Sequence, residues 1–273
     1  MQSSAADPPP LASRLPGMIA TLFVLWAVPA CANDAAARRI LGFSPDGRYF
    51  AFEQYGTLDW SDADSGYSEI AIIDTQTDAF VAGAPIKIID ENSQGRLTQE
   101  QARKRAAAQA APLLARYAIA PRGERIAFDR FTFPDETLPR EDIARLEAVA
   151  QKSLAPTSYQ APEIGSIALT EIVVDSGADC TASSREGEPA IPSGKARGFK
   201  LALEGVDGKS SKTLHEDRST PASRDCPMSY SLSEAYLFES PHRPPVVAVL
   251  VQRLSQGWEG RDRRFIAVTG AIR

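Results

Sequence analysis

Short runs of apolar and polar side chains, separated by residues that favour turns, make up most of the chain. Residues 44–47 read SPDG; the proline presets φ and the glycine readily adopts positive φ, so this segment predicts a sharp turn. In the segment that follows, Phe50 and Phe52 share one face of an extended chain, which predicts a β-strand with at least one buried face. Residues 69–77 contain the apolar run 70–73 followed by an Asp and a Thr, and they predict the returning strand.

The same kind of segment recurs along the chain. Residues 120–128 read APRGERIAF and match SPDGRYFAF in the proline, the glycine and the final Ala-Phe. A third unit, from residue 246 to residue 270, has the same order of strand, loop and strand. Repeated units of this kind predict propeller blades or stacked sheets. Further strands are predicted at residues 165–176, 198–205, 212–217 and 230–240.

Two segments have helical periodicity instead. Residues 98–118 begin with a capping box and continue with apolar residues at helical spacing, while Pro112 predicts a kink or a break. Residues 139–153 predict a second helix that begins at a proline. The basic run at residues 103–105 is typical of a solvated helix face, with a docking patch as the alternative. We therefore expect a mainly β fold, propeller-like or made of packed antiparallel sheets, with helical insertions at about 98–118 and 139–153.

The N-terminal segment has the features of an export signal. Residues 18–28 form an apolar run that follows a basic residue and precedes small residues. This order is typical of a secretory signal peptide, and the run is too short to span a bilayer comfortably. We predict a signal peptide at residues 1–32, cleavage between Ala32 and Asn33, and one secreted domain at residues 33–273. The mature chain is expected to have no transmembrane span.

The cysteines agree with export. Cys31 lies in a weak lipobox-like segment, so a lipoprotein anchored through Cys31 is the alternative to a free periplasmic or secreted protein. Cys180 and Cys226 remain in the mature chain, and a pair of cysteines in an oxidising compartment predicts a disulfide.

Composition and motifs exclude several classes of chemistry. The net charge is −5 and the pI is about 5.3, which argues against a nucleic-acid partner. The sequence has no G-x-S-x-G, H-E-x-x-H, P-loop or G-x-G-x-x-G pattern, so we expect no cofactor and no metal. His215 lies beside Glu216 and Asp217, which is a candidate catalytic cluster but is more typical of an exposed turn.

Two acidic loops that contain tryptophan are the candidate binding sites. If the repeats are equivalent, both loops hold matching positions, and exposed aromatic residues beside acids suit recognition of a partner. Packing of each tryptophan over its own sheet is the competing interpretation. The carboxylates of the first loop also raise the question of Ca²⁺, although their order does not match an EF-hand. The candidate binding residues are Asp59, Trp60, Asp62, Asp64, Trp258 and Glu259.

The segments GFSPDGRYFAFEQYG, YSEIAIID and GWEGRDRRFIAVTG together resemble a family of bacterial predicted secreted proteins of unknown function. The resemblance extends from about residue 39 to residue 270. The SPDGRYFAF segment also resembles the TolB-like propeller repeat, which is informative about architecture and weak for function.

From these observations we expect an exported, non-enzymatic binding or interaction module of the bacterial envelope. Its partner is an unknown protein, peptide or glycan. The alternative is a secreted hydrolase that uses carboxylates or His215.

Overall fold

A computed structural model describes residues 35–58, 65–89, 97–128, 158–161, 164–184, 188–206, 210–241, 243–257 and 261–272. The predicted signal peptide, its cleavage site, Cys31 and the predicted helix at 139–153 lie outside these residues. Within them the chain forms strands, one α-helix and two short 3₁₀ helices. In chain order the elements are β1 (Ala37–Phe43), β2 (Tyr49–Leu58), β3 (Ser65–Asp74), β4 (Ala79–Phe80), β5 (Ile86–Ile89), α1 (Gln99–Arg116), β6 (Glu124–Phe128), β7 (Ser158–Ala161), β8 (Gly165–Ser176), a 3₁₀ turn (Thr181–Ser183), β9 (Lys195–Glu204), β10 (Ser211–Glu216), β11 (Ser219–Thr220), a second 3₁₀ turn (Ala222–Arg224), β12 (Pro227–Ser240), β13 (Arg243–Gln256) and β14 (Arg261–Ala271).

The strands form three sheets. Sheet I has the order β1-β2-β3, with β4 and β5 both paired to β3. Sheet II has the order β10-β9-β8, with β7 and β11 both paired to β8, and sheet III has the order β14-β13-β12-β6. All neighbours are antiparallel except the two-residue pairing of β11 with β8. The prediction of packed antiparallel sheets is therefore confirmed, as are the strands predicted within β8, β9, β10 and β12 to β14.

Sheet III lies in the middle of the stack, and its strand β13 is buried on both faces. Even-numbered residues from 246 to 250 pack with Phe50 and Phe52 of sheet I. Odd-numbered residues from 247 to 251 pack with apolar residues of β8 and β9 in sheet II. The sequence VVAVLV has no polar residue in this stretch because a strand covered on both sides needs apolar side chains at every position.

Helix α1 covers the outer face of sheet I. Ala106 and Ala110 pack against β2 and β3, and their small side chains let the helix lie close to the sheet. The predicted capping box is present, because Thr98 accepts from the Gln101 N–H and Gln101 accepts from the Thr98 N–H. The predicted break at Pro112 is wrong, since the helix continues to Arg116. Leu113 and Leu114, which follow Pro112, pack against sheet I and hold this last turn in place.

One residue of the basic run on α1, Arg103, is only partly exposed. Arg103 Nε donates to Glu53 Oε1 over 3.0 Å, and its guanidinium carbon lies 3.7 Å from the centre of the Tyr55 ring. The Glu53 side chain is 1% exposed and also pairs with Arg39 over 3.0 Å. The interpretation of the whole run as a solvated face is therefore wrong at Arg103, because a buried carboxylate on β2 requires a cation.

The two proline-glycine segments do not form equivalent units. Strand β2 lies between β1 and β3, whereas β6 pairs with β12 at an edge of sheet III. Phe50 and Phe52 pack between sheets I and III, but Ile126 of β6 packs on the side of sheet II. The two turns contact each other instead, since the Phe43 N–H donates to the Ala120 carbonyl over 3.1 Å.

Candidate ligand-binding cleft

The predicted binding residues lie in the segments 59–64 and 258–260, which are outside the described part of the chain. Strands β2 and β14, which adjoin these segments in sequence, contact each other. Gln54 of β2 contacts Phe265 of β14, and Ala36, in front of β1, contacts Arg263. The prediction that the two loops recognise a partner is not tested by these contacts and stays a prediction.

A cleft that sequence reasoning missed lies beside the start of β2 and the end of β14. We call it the junction cleft; it has a volume of about 490 Å³ and opens where turns of sheet I meet β10 of sheet II and the ends of β13 and β14 of sheet III. Ten of its sixteen lining residues are polar or charged, and each sheet contributes a cation. The lining includes Asp46, Arg48, Gln76, Thr77, Asp78, Lys212, Thr213, Arg243 and Thr269.

The SPDG turn forms one wall of the junction cleft. Gly47 has φ of +70°, and a side chain there would also meet the Phe238 ring, with its Cβ 2.5 Å from a ring carbon. Asp46 Oδ1 accepts from the Ser44 hydroxyl over 2.7 Å and from the Arg48 N–H over 3.1 Å. Burial raises the pKa of Asp46, but these hydrogen bonds outweigh it and leave the pKa below its ordinary value. The turn predicted from sequence therefore forms a wall of the junction cleft, and this wall carries an ionised carboxylate.

Asp78 joins the three sheets at the floor of the junction cleft. It lies in the turn between β3 and β4 and has φ of +50°. Its Oδ1 accepts from the Thr269 N–H over 2.7 Å and from the Thr269 hydroxyl over 3.0 Å. Its Oδ2 lies 3.6 Å from Nδ1 of His215 on β10.

His215 lies on β10 and belongs to a partly buried charged cluster, so the interpretation of residues 215–217 as an exposed turn is wrong. Nε2 of His215 lies 2.9 Å from Oδ1 of Asp217, and Asp217 is 7% exposed. Arg224 Nη1 donates to both oxygens of Asp217, over 2.7 and 2.6 Å. The His215 ring also stacks on Phe199, with ring centres 4.8 Å apart. The sequence carries a signal for part of this cluster, because alternate residues along a strand share a face.

In the His215 cluster the imidazole is protonated and Asp217 is ionised, as in a structural ion pair. Burial lowers the pKa of His215, but the hydrogen bonds to Asp217 and Asp78 outweigh burial and raise it to about 9. Burial raises the pKa of Asp217, but the hydrogen bonds from His215 and the Phe199 N–H keep it below its ordinary value. At neutral pH the imidazole is therefore protonated at both nitrogens. It has no free lone pair with which to act as a general base.

The outer edge of β14 is capped along most of its length. The Arg263 carbonyl accepts from the Ala36 N–H over 3.2 Å, and the Phe265 N–H donates to Gln54 Oε1 over 2.9 Å. Further along the edge, Asp78 binds the Thr269 N–H, and Lys212 Nζ donates to the Ala271 carbonyl over 2.7 Å. These caps come from sheets I and II and the segment in front of β1, and they block pairing of another strand with these groups.

Three other observations bear on function. The predicted disulfide is present, with the Cα atoms of Cys180 and Cys226 5.1 Å apart. Among the described residues, no group of three His, Cys, Asp or Glu side chains is placed to hold a metal ion. In the same part of the chain, no helix is both long and apolar enough to cross a membrane.

The stack of sheets and the disulfide define a disulfide-linked, layered β protein. The family described as "Predicted secreted protein (DUF2259)" matches residues 51–271, so the chain belongs to this family of predicted secreted proteins. No curated protein and no solved structure matches the chain. The predicted family resemblance is thereby confirmed, whereas these comparisons give no support to the TolB-like propeller repeat.

Proposed function

We propose that this protein is exported to the periplasm or exterior of a bacterium and acts there as a non-enzymatic binding module. Its ligand, a protein segment, a peptide or a glycan, binds in the junction cleft. Membership of a predicted secreted family supports export. The disulfide between Cys180 and Cys226 agrees with it, because disulfides persist in oxidising compartments.

One observation carries this proposal. Three sheets bring hydrogen-bonding side chains to a single opening. His215, beside the cleft, is engaged with Asp78 and Asp217. Gln76, Thr77 and Thr213 add neutral polar groups to the cations of the lining. A concave site with many donors and no poised nucleophile and base favours recognition over turnover.

A secreted hydrolase is the competing proposal. It requires a base with a free lone pair or two carboxylates that face a substrate. Asp217 and Asp78 contact the two ring nitrogens of His215, and Asp78 is also bonded to Thr269. We expect the purified mature protein to turn over none of a panel of esters, glycosides and peptides, and turnover of any of them favours the hydrolase.

The binding test compares two substitutions of exposed threonines on sheet II. Thr213→Trp fills the junction cleft, whereas Thr170→Trp adds the same ring on β8, away from the cleft lining. The mature chain, residues 33–273, is applied to immobilised glycan and peptide arrays from envelope material. We expect wild type and Thr170→Trp to retain the same ligands and Thr213→Trp to lose them. Equal retention by both variants contradicts a ligand site in the cleft.

The mature N-terminus distinguishes the two modes of export. Mass spectrometry of the processed protein is expected to give Asn33 as the first residue, as cleavage after Ala32 requires. An acylated Cys31 as the first residue supports the lipoprotein alternative instead.

A further inference from the structure

The junction cleft receives one cation from each sheet. Arg48 precedes β2 of sheet I, Lys212 lies on β10 of sheet II, and Arg243 begins β13 of sheet III. The whole protein has a net charge of −5, so three cations around one opening differ from its average surface. Cations drawn from three separate layers indicate a site assembled by the fold.

The three cations keep hydrogen-bond donors to spare. Arg48 uses Nε and Nη2 on Asp74 Oδ2, over 3.2 and 3.1 Å. Arg243 Nη2 lies 3.3 Å from Asp46 Oδ2, and Lys212 Nζ donates to the Ala271 carbonyl. A guanidinium has five N–H donors and an ammonium has three, so each of these side chains has donors beyond its contacts.

Each acid beside the cleft has both carboxylate oxygens in contact with a donor. Asp46 Oδ1 accepts from Ser44 and Arg48, and its Oδ2 lies 3.3 Å from Arg243 Nη2. Both oxygens of Asp78 face Thr269 or His215. Asp74 accepts from the Gln76 N–H with Oδ1 and from Arg48 with Oδ2. The cleft therefore offers more donors than acceptors, and a matching ligand is rich in acceptors and negatively charged.

On the basis of the proposed function, we infer that the ligand of the junction cleft carries a multivalent oxyanion. Its carboxylate or phosphate oxygens accept hydrogen bonds from Arg48, Lys212 and Arg243. Charge-assisted hydrogen bonds to such oxygens are stronger than neutral ones, and the partly exposed site makes the affinity fall with added salt.

The test uses calorimetric titration of the mature protein with citrate, inorganic phosphate and an oligogalacturonide. Arg243→Gln and Lys212→Gln are each expected to weaken binding about tenfold, the loss of one charge-assisted contact. Lys87→Gln is the matched control, because it removes the same charge from an exposed position on β5. Circular dichroism confirms that each variant is folded.

Each outcome has a definite consequence. Tighter binding of the oligogalacturonide assigns the oxyanion to a glycan, and tighter binding of citrate or phosphate assigns it to a free small anion. If wild type binds none of the three, or if Lys87→Gln weakens binding as much as Arg243→Gln, the inference is wrong. If uncharged array ligands bind to wild type but not to Thr213→Trp, the proposed function stands and only the anion inference fails.

Discussion

Oδ2 of Asp78 lies 3.6 Å from Nδ1 of His215, so an ion pair ties a turn of sheet I to the edge strand of sheet II. The same carboxylate binds Thr269 of sheet III through its other oxygen. The ion pair therefore links the floor of the cleft to all three layers.

This ion pair predicts that the free energy of unfolding decreases as the pH rises from mildly acidic to alkaline values. The pKa of His215 is about 9 in the folded protein, above its ordinary value of 6.5. The stabilisation is fully present below pH 6.5 and is lost as the pH rises through 9. The groups that face the ring are Asp78, Asp217 and Arg224; Tyr230, with a pKa raised to about 12 by burial, stays neutral in this range.

Urea unfolding at pH 6 and pH 9.5 measures the effect. A shift of this size corresponds to a loss of the order of 3 kcal/mol of unfolding free energy. His215→Gln is expected to flatten the dependence over this range. A wild-type protein as stable at pH 9.5 as at pH 6 contradicts the assignment of a protonated His215 between two carboxylates.

Because Gln54 caps the edge of β14, we expect its substitution to lower the free energy of unfolding. Gln54 is 5% exposed; its Oε1 accepts from the Phe265 N–H and its Nε2 donates to the Phe265 carbonyl. Gln54→Ala leaves both buried backbone groups without this partner, so we expect a loss of about 1–3 kcal/mol in urea unfolding. Gln76→Ala, at an exposed position, should change stability by less than about 0.5 kcal/mol. Equal effects of the two substitutions show that the cap contributes nothing.

The contact between Glu53 and Arg103 predicts how α1 is held. Arg103→Ala removes a cation from a carboxylate that is 1% exposed, although Arg39 remains beside it. We expect a destabilisation of about 2–3 kcal/mol, with faster hydrogen exchange along α1. Lys104→Ala, on the exposed side of the same helix, is the control and should be nearly neutral. Unchanged exchange in Arg103→Ala is incompatible with this docking role.

The disulfide is predicted to contribute more than any single contact described above. Cys180 and Cys226 are 46 residues apart, and loop closure over this length is worth about 4 kcal/mol. We expect the double substitution Cys180→Ser/Cys226→Ser to lower the unfolding free energy by about this amount. Thiol titration of the native mature protein should find no free thiol, and two free thiols per chain contradict the bridge.

The sequence predicted where strands form better than it predicted which sheets they belong to or pack against. The run VVAVLV predicts a strand, but its two faces contact different sheets, and no local pattern specifies which sheet covers which face. Similarly, the match between residues 44–52 and 120–128 reflects shared turn chemistry rather than a shared position in a sheet. Local turn and strand preferences recur wherever a chain enters a sheet, so they are weak guides to topology.

The candidate site shows the same limit. His215 and Asp217 are close in sequence, but Asp78 reaches His215, and Thr269 reaches Asp78, only through the folding of three sheets. The sequence does indicate that Glu53 has a counter-ion, because a charged residue on a buried, largely apolar strand needs one. Its partner Arg103 belongs to a basic run that, by itself, is typical of a solvated helix face.

The central claim is that the junction cleft is the ligand site, and amide correlation spectra of isotope-labelled mature protein test it most directly. The protein is titrated with the array ligand that it retains most strongly. We predict that the amide signals of Thr77, Thr213 and Gly270, one from each sheet, shift together and saturate at one ligand per chain. Shifts confined to α1, with these three signals unchanged at saturation, would contradict the claim.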